Sequence, residues 1–170
     1  GAEALTLAVA SVVPDLIDKP LAWEFGVFDA GYGITHSALV AVPVSAAAVY
    51  GSRFSDRLPV AAAFATGWLL HLPGDLFVGY VHQGYVPFAR VLWPVRAVEA
   101  TYSEGFSGTL LEYLGGYVSD LVSGSLDPAA VAGLAAFAVC LLVWLRDGAP
   151  GLREIIGILT ASTGARNRRK

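Results

Sequence analysis

Long apolar runs alternate with short polar stretches along this chain, and the runs define its expected elements. Residues 4–17 (ALTLAVASVVPDLI), 36–51 (HSALVAVPVSAAAVYG), 59–78 (PVAAAFATGWLLHLPGDLFV) and 128–145 (PAAVAGLAAFAVCLLVWL) each read as an apolar helix. A bilayer span takes about 20 apolar residues, within roughly 17–25. The fourth run meets that length, the second is marginal and the first is short. Small residues are abundant in the middle runs (Ala46, Ala47, Ala48, Ala61, Ala62, Ala63, Ala65, Gly67). They suit close helix packing in lipid, where no hydrophobic effect drives helices together. Pro14, Pro43 and Pro73 predict kinks, which membrane helices tolerate when neighbours satisfy the freed backbone groups.

The remaining stretches have a different texture. Residues 79–105 are rich in Gly, Pro and aromatics and predict an irregular segment at the membrane surface, where Tyr and Trp are enriched. Residues 106–122 place Leu110, Leu114, Tyr117 and Leu121 on one helical stripe, the pattern of an interfacial amphipathic helix, although Gly115 and Gly116 weaken it. Residues 152–159 predict a shorter helix of the same kind. The fold expected is all-α: a polytopic transmembrane helical bundle with interfacial helices.

Composition agrees with that reading. The chain is 55% hydrophobic and 15% charged, against about 25% charged in a soluble domain. Its mean hydropathy is +0.60. A soluble bundle with a very apolar core is the alternative. The single cysteine, Cys140, excludes an intramolecular disulfide and a cysteine zinc site, and reads as a buried small hydrophobe. The chain begins Gly-Ala-Glu without Met, which reads as a fragment lacking its natural N-terminus. No signal peptide is recognisable.

Charge is unevenly spread. Residues 1–145 carry 5 Lys+Arg against 12 Asp+Glu, whereas residues 146–170 carry 6 against 2. The division suggests a membrane-embedded domain over 1–145 and a basic tail over 146–170. The tail is too short to argue for nucleic acid. With spans two to four as drawn, it shares one side of the membrane with the loop SRFSDR (52–57). The positive-inside rule makes that side cytoplasmic, so an integral protein of the cell membrane with a cytoplasmic C-terminus is expected.

Five ionisable residues interrupt the apolar runs: Asp15 and Asp18 in VVPDLIDKP, His36 in GITHSALV, His71 and Asp75 in LLHLPGDLFV. Ionisable groups in or beside a bilayer core are costly and therefore point to function. The orientation above carries all five toward the outer face. On a helix His71 and Asp75 are neighbours one turn apart, and so are Asp15 and Asp18 three positions apart. Imidazoles with carboxylates can bind a cation such as zinc. Each pattern has a packing alternative: a buried His–Asp hydrogen bond, a cap by Asp18 with Lys19 partly neutralising the pair, a cap by Thr35 on the helix after His36. His82 reads as an exposed interfacial histidine, and Arg90 and Arg96 as residues that snorkel or bind lipid phosphate. No glycine-rich phosphate loop, nucleophile elbow or Ser-His-Asp order appears.

The order PDLIDK, THS, HLPGD and LWPV resembles the YdjM-like family of membrane-bound proteins described as metal-dependent hydrolases. The likeness covers about residues 5–96. It implies Asp15, Asp18, His36, His71 and Asp75 as metal-site residues, and a distant similarity to zinc-dependent phospholipase C-type proteins. Relatives often carry His-Arg before THS, where this chain has GYGITHS. The function expected is hydrolysis of a lipid or other amphiphilic (phospho)ester by a divalent transition metal, zinc foremost, with manganese or iron as alternatives. Asp18 and His36 are the candidate catalytic groups, Asp18 also standing as a further ligand or an orienting residue. Membrane lipids are the expected partners. The alternative is a non-enzymatic membrane scaffold or transport component that uses the same cluster to bind ions.

Overall fold

Pro14 decides how the first apolar run folds. It has no amide hydrogen to give, and its ring would crowd the preceding turn of a continuous helix. The run accordingly forms two helices, α1 (Ala2–Ala10) and α2 (Val13–Trp23), separated by a turn at Ser11 and Val12. Pro14 then lies in the first turn of α2, where a missing donor does no harm. The single helix expected over 4–17 is thus corrected to a broken pair. This computed structural model describes residues 1–100 and 104–152, the side chains of residues 128 and 129 aside. The helix expected over 152–159 and most of the basic tail lie outside the described residues.

A loop follows α2 and carries His36 into α3 (Ala38–Ser52). The next helix, α4 (Leu58–Gln83), contains Pro73 and runs past the predicted end of its apolar segment. It stops at Gly84, whose φ of 75° is the left-handed conformation that ends many helices. The irregular segment expected from residue 79 therefore starts later. It contains a 3-10 turn at Phe88–Val91. Two more helices follow, α5 (Gly105–Ser123), which forms through Gly115 and Gly116, and α6 (Pro128–Arg146). Asp127 caps α6 by accepting from the Ala130 amide at 2.8 Å. All regular structure among the described residues is helical.

The arrangement is centred on α4, with α1 and α3 packed along it and α5 against α2. Ala41, Trp68, Leu72 and Val91 form the buried core, joined by Val40, Phe64 and Leu76. Gly67 makes the α1–α4 approach possible: a Cβ there would fall 2.5 Å from the Leu7 carbonyl oxygen and 3.0 Å from Ala10 Cβ. On the other side Trp23 stacks on Phe106 with centroids 5.9 Å apart, and the Phe106 amide donates to Glu24 Oε2 at 2.9 Å.

Among the described residues no helix is long and apolar enough to cross a membrane. The expected spans are therefore not confirmed, and for the first three runs the reasons are local. The first run is broken in two. The 15 residues of α3 reach only about 22 Å, short of a hydrocarbon core of about 30 Å. In α4, His71, Pro73, Gly74 and Asp75 interrupt the apolar surface. Large apolar side chains are nonetheless exposed along α3, α4, α5 and α6. Cys140 is also exposed on α6 rather than buried as expected.

Candidate metal centre

Asp18 organises the loop that presents His36. Its Oδ2 accepts from the backbone amides of Gly33 at 2.9 Å, Thr35 at 3.0 Å and His36 at 3.0 Å. The same oxygen meets His36 Nδ1 at 2.9 Å. A carboxylate can only accept here, so Nδ1 carries the proton and Nε2 presents its lone pair away from Asp18. Asp18 and His36 are both completely buried.

Further bonds fix this turn. The Thr35 hydroxyl donates to the Pro14 carbonyl at 3.2 Å, so it ties the loop to α2 and does not cap α3. The Thr35 carbonyl accepts from Trp68 Nε1 at 2.7 Å. Ser37 Oγ donates to the Trp93 carbonyl, which anchors the start of α3 to the LWP stretch.

His71 is fixed by a different device with the same effect. Its Nδ1 lies 2.8 Å from the Ser11 carbonyl oxygen, in the turn between α1 and α2. A carbonyl only accepts, so this Nδ1 is protonated too and Nε2 is free to bind. The two Nε2 atoms meet 3.2 Å apart. Asp15 Oδ1 lies 3.3 Å from His36 Nε2 and 3.8 Å from His71 Nε2. Asp75 Oδ2 lies 3.4 Å from each.

Two lone pairs and two carboxylate oxygens at this range form a donor set suited to a cation. Ligands held tetrahedrally at about 2.0–2.1 Å from a zinc ion stand about 3.3–3.4 Å apart, close to these spacings. The ligand atoms of Asp15, His36 and His71 all fall within 4.8 Å of one another, a group that could hold a metal ion. Asp75 Oδ2, a buried atom, receives no hydrogen bond among the described residues. Lys19 Nζ gives Asp15 Oδ1 an ion pair at 2.7 Å, whereas no such ammonium faces Asp75 Oδ2 among the described residues. The residues present therefore fit a divalent ion.

All five residues singled out in the sequence converge, but not in one layer. Asp15, His36 and His71 form one group of ligand atoms, Asp75 Oδ2 lies beside both imidazoles, and Asp18 stands behind His36. His71 and Asp75 sit midway along α4, not near its end, because the helix continues to Gln83. His82 is exposed, 3.7 Å from Asp127 Oδ2 and away from the cluster. Sequence reasoning missed Ser11, whose contribution is a backbone carbonyl without a side-chain signature. Its only trace was Pro14, which marks the helix break. It also missed Tyr32, whose ring meets the His36 ring edge-on with centroids 5.1 Å apart.

Comparison with known proteins places the chain in a family. It belongs to the YdjM inner membrane proteins, whose family model matches residues 2–149. No curated protein and no solved structure matches it.

Proposed function

We propose that this member of the YdjM family is a membrane-bound metal-dependent hydrolase acting on a lipid or other amphiphilic ester. Asp15, His36, His71 and Asp75 hold the ion. The observation that carries the reading is the pair of imidazoles, each bound through Nδ1 to a protein acceptor so that both Nε2 atoms turn inward. Metal-binding histidines are commonly oriented in this way. Mixed imidazole and carboxylate ligation favours zinc, with manganese and iron next. A bound ion would polarise a carbonyl or phosphoryl oxygen and acidify water.

The chain's own residues divide the remaining work. Asp18 sets the tautomer and direction of His36 and is too deeply buried to meet water, so it is a positioning residue. His36, committed at both nitrogens, serves as a ligand. Asp15 is 35% exposed and drawn toward Lys19. Its Oδ1, a buried atom paired with Lys19, is the oxygen turned toward the ion.

Placement in the bilayer rests on the family and on the exposed surface. Leu70 and Phe77 on α4 and Phe137 and Leu142 on α6 are 64%, 67%, 66% and 65% exposed. Lipid is the solvent that such side chains suit. We place the helices as a polytopic bundle with the C-terminus cytoplasmic and the centre toward the outer face, following the basic loop and tail.

Elemental mass spectrometry of detergent-purified protein tests the centre, with His71→Ala and Asp75→Ala beside the wild type. A single equivalent of transition metal, lost in both variants, is the expected result. A folded wild type that takes up neither zinc nor manganese overturns the reading. Metal binding without hydrolysis of any ester or phosphoester amphiphile favours the scaffold or transport alternative.

A further inference from the structure

Two cations stand beside the centre, bracketing the loop that covers His36. Lys19 reaches from α2, its Nζ 2.7 Å from Asp15 Oδ1. Its stem lies against Gly31, where an added Cβ would come 2.8 Å from Lys19 Cγ. Arg90 comes from the 3-10 turn. Its Nη1 donates to the Asp75 carbonyl at 3.1 Å, and its guanidinium carbon lies 4.9 Å from the centroid of the Tyr32 ring. Gly31 and Tyr32 are adjacent, so the cations flank one short stretch of chain. Both side chains are half-buried, as are Asp15 and Asp75, while His36 is sealed. The centre is thus accessible through its carboxylates; Lys19 pairs with one of them, and Arg90 bonds the backbone carbonyl of the residue that carries the other.

Charge balance gives this placement a meaning. A divalent ion together with Lys19 would neutralise Asp15, Asp18 and Asp75. Arg90 meets no carboxylate among the described residues and remains in surplus. Its guanidinium has five N–H donors, of which the Asp75 carbonyl takes one.

We propose that Lys19 and Arg90 form a receptor for a phosphoryl group at the mouth of the centre, so that the ester processed there is a phosphoester. This inference rests on the metal-dependent reading above. A neutral carboxylic ester offers one carbonyl oxygen for an ion and nothing for two further cations. A phosphoryl group offers several charged oxygens, to be shared among the ion, the ammonium and the guanidinium. Lys19 can turn toward such a ligand because a bound ion takes over the charge of Asp15.

The test is calorimetric titration of inorganic phosphate into the detergent-purified full chain, with and without zinc. Wild type, Lys19→Met, Lys19→Arg and Arg90→Met are compared, and zinc content is measured on the same samples. Each Met variant is expected to keep its zinc and helix content and to bind phosphate about tenfold more weakly, or worse. Lys19→Arg should retain most of the affinity, which separates charge from packing. Wild-type affinity in both Met variants overturns the proposal, as does a zinc-loaded wild type that binds no phosphate. A wild type that takes up no added zinc yet still binds phosphate through Lys19 and Arg90 sinks the metal reading alone. A parallel titration with dioctanoyl phosphatidic acid separates the sources. Tighter binding than inorganic phosphate, lost in both Met variants, assigns a lipid headgroup, and equal binding assigns the free anion.

Discussion

At the scale of single residues, Asp18 shows how a carboxylate can matter to a centre it does not face. Its Oδ2 collects three backbone amides and the His36 ring. An Asp18→Asn substitution keeps the size but removes the charge and forces an amide nitrogen or a weaker acceptor against those donors. Partners of this kind change metal affinity by about 10–100-fold. Zinc competition with a chromophoric chelator should show a loss in that range while helix content by circular dichroism stays near wild type. Unchanged affinity would remove Asp18 from the positioning role. The five residues of the cluster could be picked out in the sequence because ionisable groups stand out against apolar runs. The layer each occupies could not, since it depends on which ring nitrogen meets which acceptor.

At the scale of elements, the contact between α1 and α4 sets where the Ser11 carbonyl lies. Gly67→Ala would drive a methyl group into the Leu7 carbonyl and force α1 outward. Overpacking of this kind destabilises by about 1–3 kcal/mol. Thermal unfolding should fall, and zinc affinity with it, because His71 Nδ1 loses its acceptor. Gly74→Ala is the control on the same helix: nothing lies within 4 Å of an added Cβ. It should leave zinc binding intact and raise stability by about 0.5–1 kcal/mol. Equal zinc affinity in the two variants would disconnect α1 from the centre. The existence and helical type of the apolar elements could be read from periodicity and length. The break at Ser11 and Val12 was signalled only by Pro14, which by itself fits a kink as well as a break, and the extension of α4 to Gln83 had no signal because it depends on packing against neighbouring segments.

At the scale of the whole molecule, Cys140 offers a clean probe of the surroundings. It is the sole cysteine and lies exposed midway along α6. In lipid a thiol is out of reach of polar reagents. A water-soluble maleimide should label it slowly in native membranes and fully after solubilisation in SDS. Rapid labelling in intact membranes would argue against lipid around α6. The exposed apolar surface that motivates this test could be anticipated from composition, whereas its distribution among helices required the packing. The bond from His71 to the Ser11 carbonyl carries a further consequence. Those residues are 60 positions apart, and a bound ion would reinforce the loop they close. A cross-link over so long a loop acts mainly on the chain entropy of the unfolded ensemble, and metal binding of this sort is coupled to folding. Chelation should therefore lower the melting temperature and expose the turn between α1 and α2 to protease. The ion would serve as a clasp on the molecule as well as a reagent within it.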